Sequence, residues 1–305
     1  MSDVDVTPVA ALPAGDVAAV LALARDAEAV DGVRPLSEQT ELALRRADAG
    51  AGRHLLARGT DGDVAGYARV DADAGDGATA ELVVHPARRR QGVGRALLAA
   101  VESTAGTGRL QVWAHGGHPG AAALAASRGY RAGRSLWVMR RPLTGDLPAV
   151  TVPDGVRLRP FRPGEDDETW VAVNAAAFAA HPEQGAMTLR DLRERMAEPW
   201  FDPEGFLVAE DAATGEMLGF HWTKVHRHSG GGAVGEVYVV GVSPSAQGLG
   251  LGRVLTLAGL HHLSDIGLRH VMLYVEADNA PALAVYSALG FTHDDADTDV
   301  LYTRP

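Results

Sequence analysis

Apolar and polar positions along the chain fall into two rounds of the same pattern. Short apolar runs with two-residue alternation predict strands, and stretches with apolar residues three and four apart predict helices. In the second round this gives strands over 156–159, 206–210, 217–226, 235–242, 271–276 and 299–303, and helices over 165–180, 189–196, 252–266 and 280–289. The first round carries the same succession: strand, helix, antiparallel strands, a Gly-rich turn opening a helix, then strand, helix and strand. The predicted class is mixed α/β, duplicated.

The duplication is visible in the letters. Glu81-Leu-Val-Val-His-Pro-Ala-Arg-Arg-Arg-Gln-Gly-Val-Gly-Arg-Ala-Leu-Leu98 is followed much later by Val237-Tyr-Val-Val-Gly-Val-Ser-Pro-Ser-Ala-Gln-Gly-Leu-Gly-Leu-Gly-Arg-Val-Leu255. Pro86 and Pro244 are 158 residues apart, and the same offset pairs Gly92 with Gly250, Gly94 with Gly252, Arg95 with Arg253 and Leu97 with Leu255. Downstream, Ser127–Tyr130 and Ala288–Phe291 each close a helix at a glycine, with an offset of 161. Residues 141–155 are rich in Pro and Gly and read as a connection. The expected division is a first domain over 1–145, a linker over 146–155 and a second domain over 156–305.

Composition narrows the function classes. The 305 residues suit two domains, and 46% hydrophobic with 22% charged residues describes a folded globule. A net charge of −11 argues against a binder that neutralises nucleic-acid phosphates. Absence of cysteine excludes disulfides, thiolate metal sites and a cysteine nucleophile. The first 20 residues lack a basic targeting region and no apolar run reaches the roughly 18 residues of a membrane span, so a cytoplasmic, membrane-free protein is expected. The histidines, His221, His226, His228, His261 and His262 among them, follow no zinc-ligand spacing, and no metal is expected.

Gln247-Gly-Leu-Gly-Leu-Gly252, between a strand and a helix, aims backbone N–H groups into one concavity at a helix start, which suits an anion. Taken alone, such a loop is equally a structural turn, and it lacks the Lys-Ser/Thr of a P-loop. The longer string Val242-Ser-Pro-Ser-Ala-Gln-Gly-Leu-Gly-Leu-Gly252, with Val84, Pro86, Arg89, Gly92 and Gly94 as its earlier copy, resembles the acetyl-CoA signature of the GNAT N-acetyltransferase superfamily. The resemblance spans nearly the whole chain and implies two tandem GNAT folds, each a mostly antiparallel sheet flanked by helices.

It further implies that acetyl-CoA binds along Val240, Gly241 and Val242, the loop Gln247, Gly248, Leu249, Gly250, Leu251, Gly252 and Arg253, and the helix start Asn279, Ala280, Pro281, Ala282, Leu283 and Ala284. The matching positions of the first half are Leu82, Val83 and Val84 with Arg89, Arg90, Gln91, Gly92, Val93, Gly94 and Arg95. The strings His181–Gly185, His221–Lys224, Gly235–Val242 and Tyr274–Asn279 are similar to a tandem-GNAT subfamily that acetylates the cysteinyl amine of a cysteinyl-glucosaminyl-inositol. A small-molecule acceptor and a monomer follow from that likeness.

Acetyl transfer needs a base for the amine and a proton or hydrogen bond for the departing thiolate. Glu236, on the strand entering the Gly-rich turn, is the candidate base. It is six residues before Val242 and shares its face unless a bulge intervenes. Tyr286, on one helical face with Asn279, is the candidate acid. For the acceptor, Glu183, Lys224, Glu236 and Tyr274 are candidates, with Glu38 from the first half. By the offsets, Glu236 and Tyr286 become Ala78 and Ala125, while strand parity sets Glu81 on the face opposite the base position. The first half is therefore expected to be inactive, holding coenzyme or serving as a scaffold. Rival readings are a GNAT enzyme for another small amine or peptide N-terminus, and a non-catalytic acyl-CoA-binding module.

Overall fold

The computed structural model describes residues 4–45, 52–72, 77–145, 147–179, 181–227 and 232–304, without the side chains of residues 182 and 183. In chain order the elements are β1 (Asp5–Val9), α1 (Ala14–Asp31), α2 (Glu38–Arg45), β2 (Arg53–Arg58), β3 (Val64–Ala72), β4 (Ala78–Val84), α3 (Val93–Ala105), β5 (Leu110–Ala114), α4 (Pro119–Ser127) and β6 (Arg131–Pro142). They continue with β7 (Val156–Pro160), α5 (Asp167–Ala177), α6 (Pro182–Gly185), α7 (Leu189–Met196), β8 (Phe206–Asp211), β9 (Met217–Arg227), β10 (Ala233–Val242), α8 (Leu251–Asp265), β11 (His270–Glu276), α9 (Ala280–Ala288) and β12 (Thr292–Arg304).

Two compact units emerge, residues 1–137 with 294–305 and residues 138–293. The last strand therefore completes the first unit, with Val300–Arg304 pairing antiparallel to Ala114–Leu110, and the end of β6 belongs to the second. The boundaries 1–145, 146–155 and 156–305 read from the sequence give no sign of this exchange, because a strand's letters do not name its partner. Strand 299–303 is also longer than expected, beginning at Thr292.

Each unit is a sheet with helices on both faces. In unit 1, Ala78, Ala80, Leu82 and Val84 of β4 pack with Leu97 and Val101 of α3, while Val83 faces Val20 and Leu23 of α1. In unit 2, Val240 and Val242 pack on Leu251 and Leu255 of α8. The opposite face holds an aromatic core in which Phe206 stacks on Phe161 and Trp222 at 4.1 and 4.5 Å and Trp170 meets Phe206 and Trp222 edge-on. Burial of rings this large is a major part of what stabilises the unit. Helix starts follow local chemistry: Thr188 and Asp191 form a capping box on α7, His118 accepts the Gly120 N–H at α4, and Asn279 accepts the Ala282 N–H at α9. Among the described residues no helix is long and apolar enough to cross a membrane.

Helix α8 approaches β9 closely because Gly259 lies over His221. That ring is fully buried and donates from Nδ1 to the Leu255 carbonyl at 2.7 Å. A Cβ at Gly259 would fall 2.1 Å from the ring, so Gly259→Ala should cost unit 2 about 1–3 kcal/mol, read as a lower urea midpoint. Burial pushes the His221 imidazole down to about 4. The unfolded chain takes up its proton near pH 6.5 and the folded chain does not, so this contribution to stability is lost as pH falls from about 6.5 toward 4. The protection factors of the β9 amides, corrected for the intrinsic pH dependence of exchange, should fall over that window, and His221→Gln should abolish the trend.

Candidate functional site

Strand β10 carries the site, and its register decides where side chains point. It pairs antiparallel with β9, Glu236 facing Lys224 and Val242 facing Gly219, with an interruption between Val237 and Val239. Tyr238 is the extra residue of a β-bulge, which shifts the alternation by one. Val240 and Val242 therefore point to α8, whereas Tyr238 and Val239 lie with the aromatic core on the other face. Glu236 belongs to that second face. It does not share a face with Val242, since the bulge reverses the simple two-residue count.

Glu236 is 5% exposed, and His226 Nε2 lies 2.5 Å from its Oε2. Opposite it, Lys224 is equally buried, its Nζ 4.4 Å from the Trp200 ring centre and 4.9 Å from that of Tyr238. Arg195 Nε donates to the Tyr238 hydroxyl at 2.8 Å. The cross-strand register sets Glu236 opposite Lys224, whose ammonium lies over an aromatic floor where cation–π attraction replaces part of its lost hydration. Met272 of β11 is in parallel register with Glu236, and Tyr274, two residues on along the same face, is 38% exposed. Lys224 and Tyr274 are thus on the face of Glu236 as expected of acceptor residues. Sequence reading weighed His226 only as a metal ligand. Its signal was the alternation Phe220, Trp222, Lys224, His226 along one strand face.

Beyond Glu236 the sheet opens. Pairing of β10 with β11 ends at Val237 and Leu273, although β10 runs on to Val242 and β11 to Glu276. The backbone of Val240–Val242 is thereby released on its β11 side. The strand leads to Gln247 and to Gly248 and Gly250, both left-handed with φ of 87° and 74°, and α8 starts without a side-chain cap. Among the described residues, nothing beyond the adjoining backbone lies within 4 Å of where a Cβ would stand at Gly248, Gly250 or Gly252. Room above the glycines and uncapped amides at Leu251, Gly252 and Arg253 fit a diphosphate. Asn279 caps α9, whose first turns hold Ala280–Ala284. Farther along, Tyr286 packs edge-on against Phe291 at 5.8 Å, its phenol pushed up to about 12 by burial.

Unit 1 repeats the opening. Pairing of β4 with β5 ends at Glu81 and Trp113, leaving Leu82, Val83 and Val84 on the wall of a cavity of about 400 Å³ with Arg89, Arg90 and Gly94. Arg90 takes the left-handed conformation, φ 63°, at the position of Gly248, a strain that favours glycine. The Arg89 guanidinium is engaged, donating to both Asp31 oxygens at 2.7 and 2.6 Å. Strand β4 has no bulge: Gly66 faces Val84 and Asp71 faces Thr79 without interruption. Matching this ladder to Gly219–Val242 makes Thr79, not Ala78, the counterpart of Glu236. It also puts Glu81 on the same face as the base position, where Glu81 accepts the Ser37 N–H at 2.9 Å. The parity argument against Glu81 therefore fails. Glu38 opens α2 beside Ser37. Glu183 lies in α6, its side chain outside the described residues.

Comparison with known proteins agrees with this geometry. Residues 170–291 match a model of the Acetyltransferase (GNAT) family and residues 50–132 match an Acetyltransferase (GNAT) domain, one in each unit. A mycothiol acetyltransferase of Catenulispora acidiphila is 57% identical, over 92% of this chain and 94% of the relative. One of Thermomonospora curvata is 58% identical, over 95% and 94%. The chain belongs to the mycothiol acetyltransferase family. Among solved structures, a tandem GNAT protein from the clavulanic acid biosynthesis pathway superposes with a TM-score of 0.75, 25% identity and coverage of 99% and 98% of the two chains. A GCN5-related N-acetyltransferase from Sphaerobacter thermophilus gives 0.71 at 24% identity, covering 98% and 95%. Both family segments include the released strand end and the Gly-rich loop of their unit.

Asp31 competes with any anion for Arg89. Asp31→Asn should free the guanidinium and raise the affinity of unit 1 for coenzyme A several-fold by calorimetry. A lower affinity would mean that Asp31 only positions the loop.

Proposed function

We propose that the chain transfers the acetyl group of acetyl-CoA to the cysteinyl amine of 1D-myo-inositol 2-(L-cysteinylamino)-2-deoxy-glucopyranoside, giving mycothiol and CoA, with the chemistry in unit 2. The observation that carries this reading is the buried Glu236, turned by the bulge toward the acceptor face beside the opened β10 edge, in a chain so close to named mycothiol acetyltransferases.

In this reading the amides at Leu251–Arg253 and the space over Gly248, Gly250 and Gly252 take the diphosphate of acetyl-CoA. The free edge of Val240–Val242 pairs with the pantetheine arm, and the thioester comes to lie near the bulge. Glu236 removes a proton from the acceptor ammonium, whose pKa near 8 makes the task modest, and His226 at 2.5 Å shares the charge of that step. The freed amine forms the C–N bond to the acetyl carbon, a backbone N–H of β10 steadies the oxyanion, and the C–S bond breaks as the nitrogen gives up its second proton to solvent. Tyr286 faces the leaving thiolate. A phenol held at about 12 stays protonated but is a poor proton source for a thiolate whose parent thiol sits near 8.5. Its part is a hydrogen bond to the sulfur, with the proton supplied from solvent. Lys224 and Tyr274 border the acceptor, and Glu183 of α6 is a further candidate for it. Unit 1, whose Thr79 replaces the base, binds coenzyme without turning it over.

Release of CoA in the presence of acetyl-CoA and the cysteinyl pseudodisaccharide tests the proposal. Turnover confined to other amines would leave a GNAT enzyme of different acceptor, and binding without turnover an acyl-CoA-binding module. Glu236→Gln should lower kcat by about 10²- to 10⁴-fold with unchanged acetyl-CoA affinity. Tyr286→Phe should cost about tenfold, the scale of one hydrogen bond. Rates untouched by Glu236→Gln would remove it as the base.

A further inference from the structure

The cavity of unit 1 has a charged wall that the reaction above does not use. His115, directly after β5, is a lining residue. It donates from Nδ1 to Asp299 Oδ2 at 2.7 Å, and Asp299 Oδ1 accepts the Gly116 N–H at 2.8 Å. The other ring nitrogen, Nε2, is 3.9 Å from Glu81 Oε1, beyond hydrogen-bond length, and finds no partner among the described residues. Burial opposes the imidazolium charge, but the carboxylates of Asp299 and Glu81 outweigh it and hold the ring up to about 10. Around neutral pH Nε2 therefore carries a proton that faces Glu81 at ion-pair distance, and a buried N–H without a hydrogen bond is costly.

The surroundings say what would pair with it. The wall of the same cavity includes Leu82, Val83 and Val84, whose strand edge is free because pairing with β5 stops at Glu81 and Trp113. A pantetheine arm along that edge brings its sulfur end toward His115. The acyl form carries a carbonyl oxygen there, while the free thiol has no comparable acceptor. The donor is peculiar to unit 1, since the offset of 161 puts Glu276, an acceptor, at this position of unit 2.

We propose that unit 1 distinguishes acylated from free coenzyme A, with His115, oriented by Asp299 and Glu81, donating a hydrogen bond from Nε2 to the thioester carbonyl. The inference rests on the reading that unit 1 holds this coenzyme. It makes the cavity a site that keeps acetyl-CoA and rejects the product of the reaction.

Calorimetry on the full chain with acetyl-CoA and with CoA tests it, the heat of unit 1 being assigned by its loss in Arg90→Glu, an exposed loop position. Unit 1 should prefer acetyl-CoA by about ten- to a hundredfold, the worth of a charge-assisted hydrogen bond. His115→Leu should bring the ratio near one, chiefly by weakening acetyl-CoA, and His115→Gln, which keeps an N–H, should restore part of it. If unit 1 binds neither compound, the coenzyme reading fails. Equal affinities in the unmodified chain, or a preference that survives His115→Leu, overturn the role of His115 alone. Should His115→Leu not fold, nitrogen-15 resonances of the wild-type imidazole decide: Nε2 should shift with acetyl-CoA and not with CoA, and equal responses overturn the proposal.

Discussion

The extra residue at Tyr238 is the constraint on which the rest of unit 2 turns. By shifting the alternation of β10 it sends Glu236 to the face of Lys224, His226 and the aromatic core, while Val240 and Val242 stay on α8. The same strand leaves β11 after Val237, so the carboxylate stands where the free edge begins. The free edge comes from the divergence of β10 from β11, just as β4 parts from β5 in unit 1 without a bulge. What the bulge adds is the turn of Glu236 to the acceptor face, at a local cost in ladder bonds with β9. The price is covered by the packing beneath it, where Trp170, Phe206, Phe220 and Trp222 are fully buried and fix the strand against small movements.

Unit 1 has the same layers and a different distribution of charge. Glu81 is on the correct face, so geometry alone does not disqualify it as a base. Burial would raise its carboxyl, but the His115 imidazolium and the Ser37 N–H outweigh that and hold it below the ordinary carboxylate value. A carboxylate stabilised in this way has little affinity for a further proton. The expectation of an inactive first half thus has a better physical ground than parity: the carboxylate is present and its basicity is spent on a neighbour. Arg89 is likewise partly spent on Asp31.

What the sequence made legible was local. The Gly-rich strings marked a helix start in each half, within one residue of the observed Leu251 in the second, the alternation gave most strands of the second half to within a few residues, and the repeat gave two similar units. Long-range partners were not legible. The bulge has no marker in Val237–Val239, since an apolar run reads the same with or without an extra residue, and so the face of Glu236 stayed conditional on a bulge and that of Glu81 was misassigned. His226 and Asp31 acquired meaning only through the cross-strand and helix–loop contacts that set them against Glu236 and Arg89. Gly248 takes the left-handed conformation that glycine favours, whereas Arg90 takes it at the matching position of unit 1, so residue type alone does not announce φ.

The exchange of the last strand ties chemistry to topology. Val300–Arg304 cover the β5 edge, and Asp299 at their head supplies the carboxylate that orients His115. A carboxylate there must pair with a cation or pay heavily for desolvation, so strand and imidazole stabilise each other's placement. Unit 1 is consequently not encoded by the first half of the chain alone. Cutting within residues 146–155 would expose the backbone groups of β5 and strip His115 of its principal counter-charge. The carboxylate of Glu81 would then be the only acid left to hold the ring. The linker read from Pro and Gly content separates two stretches of sequence, while the folded units divide the chain elsewhere because hydrogen bonding and charge pairing, not sequence order, settle which segments belong together.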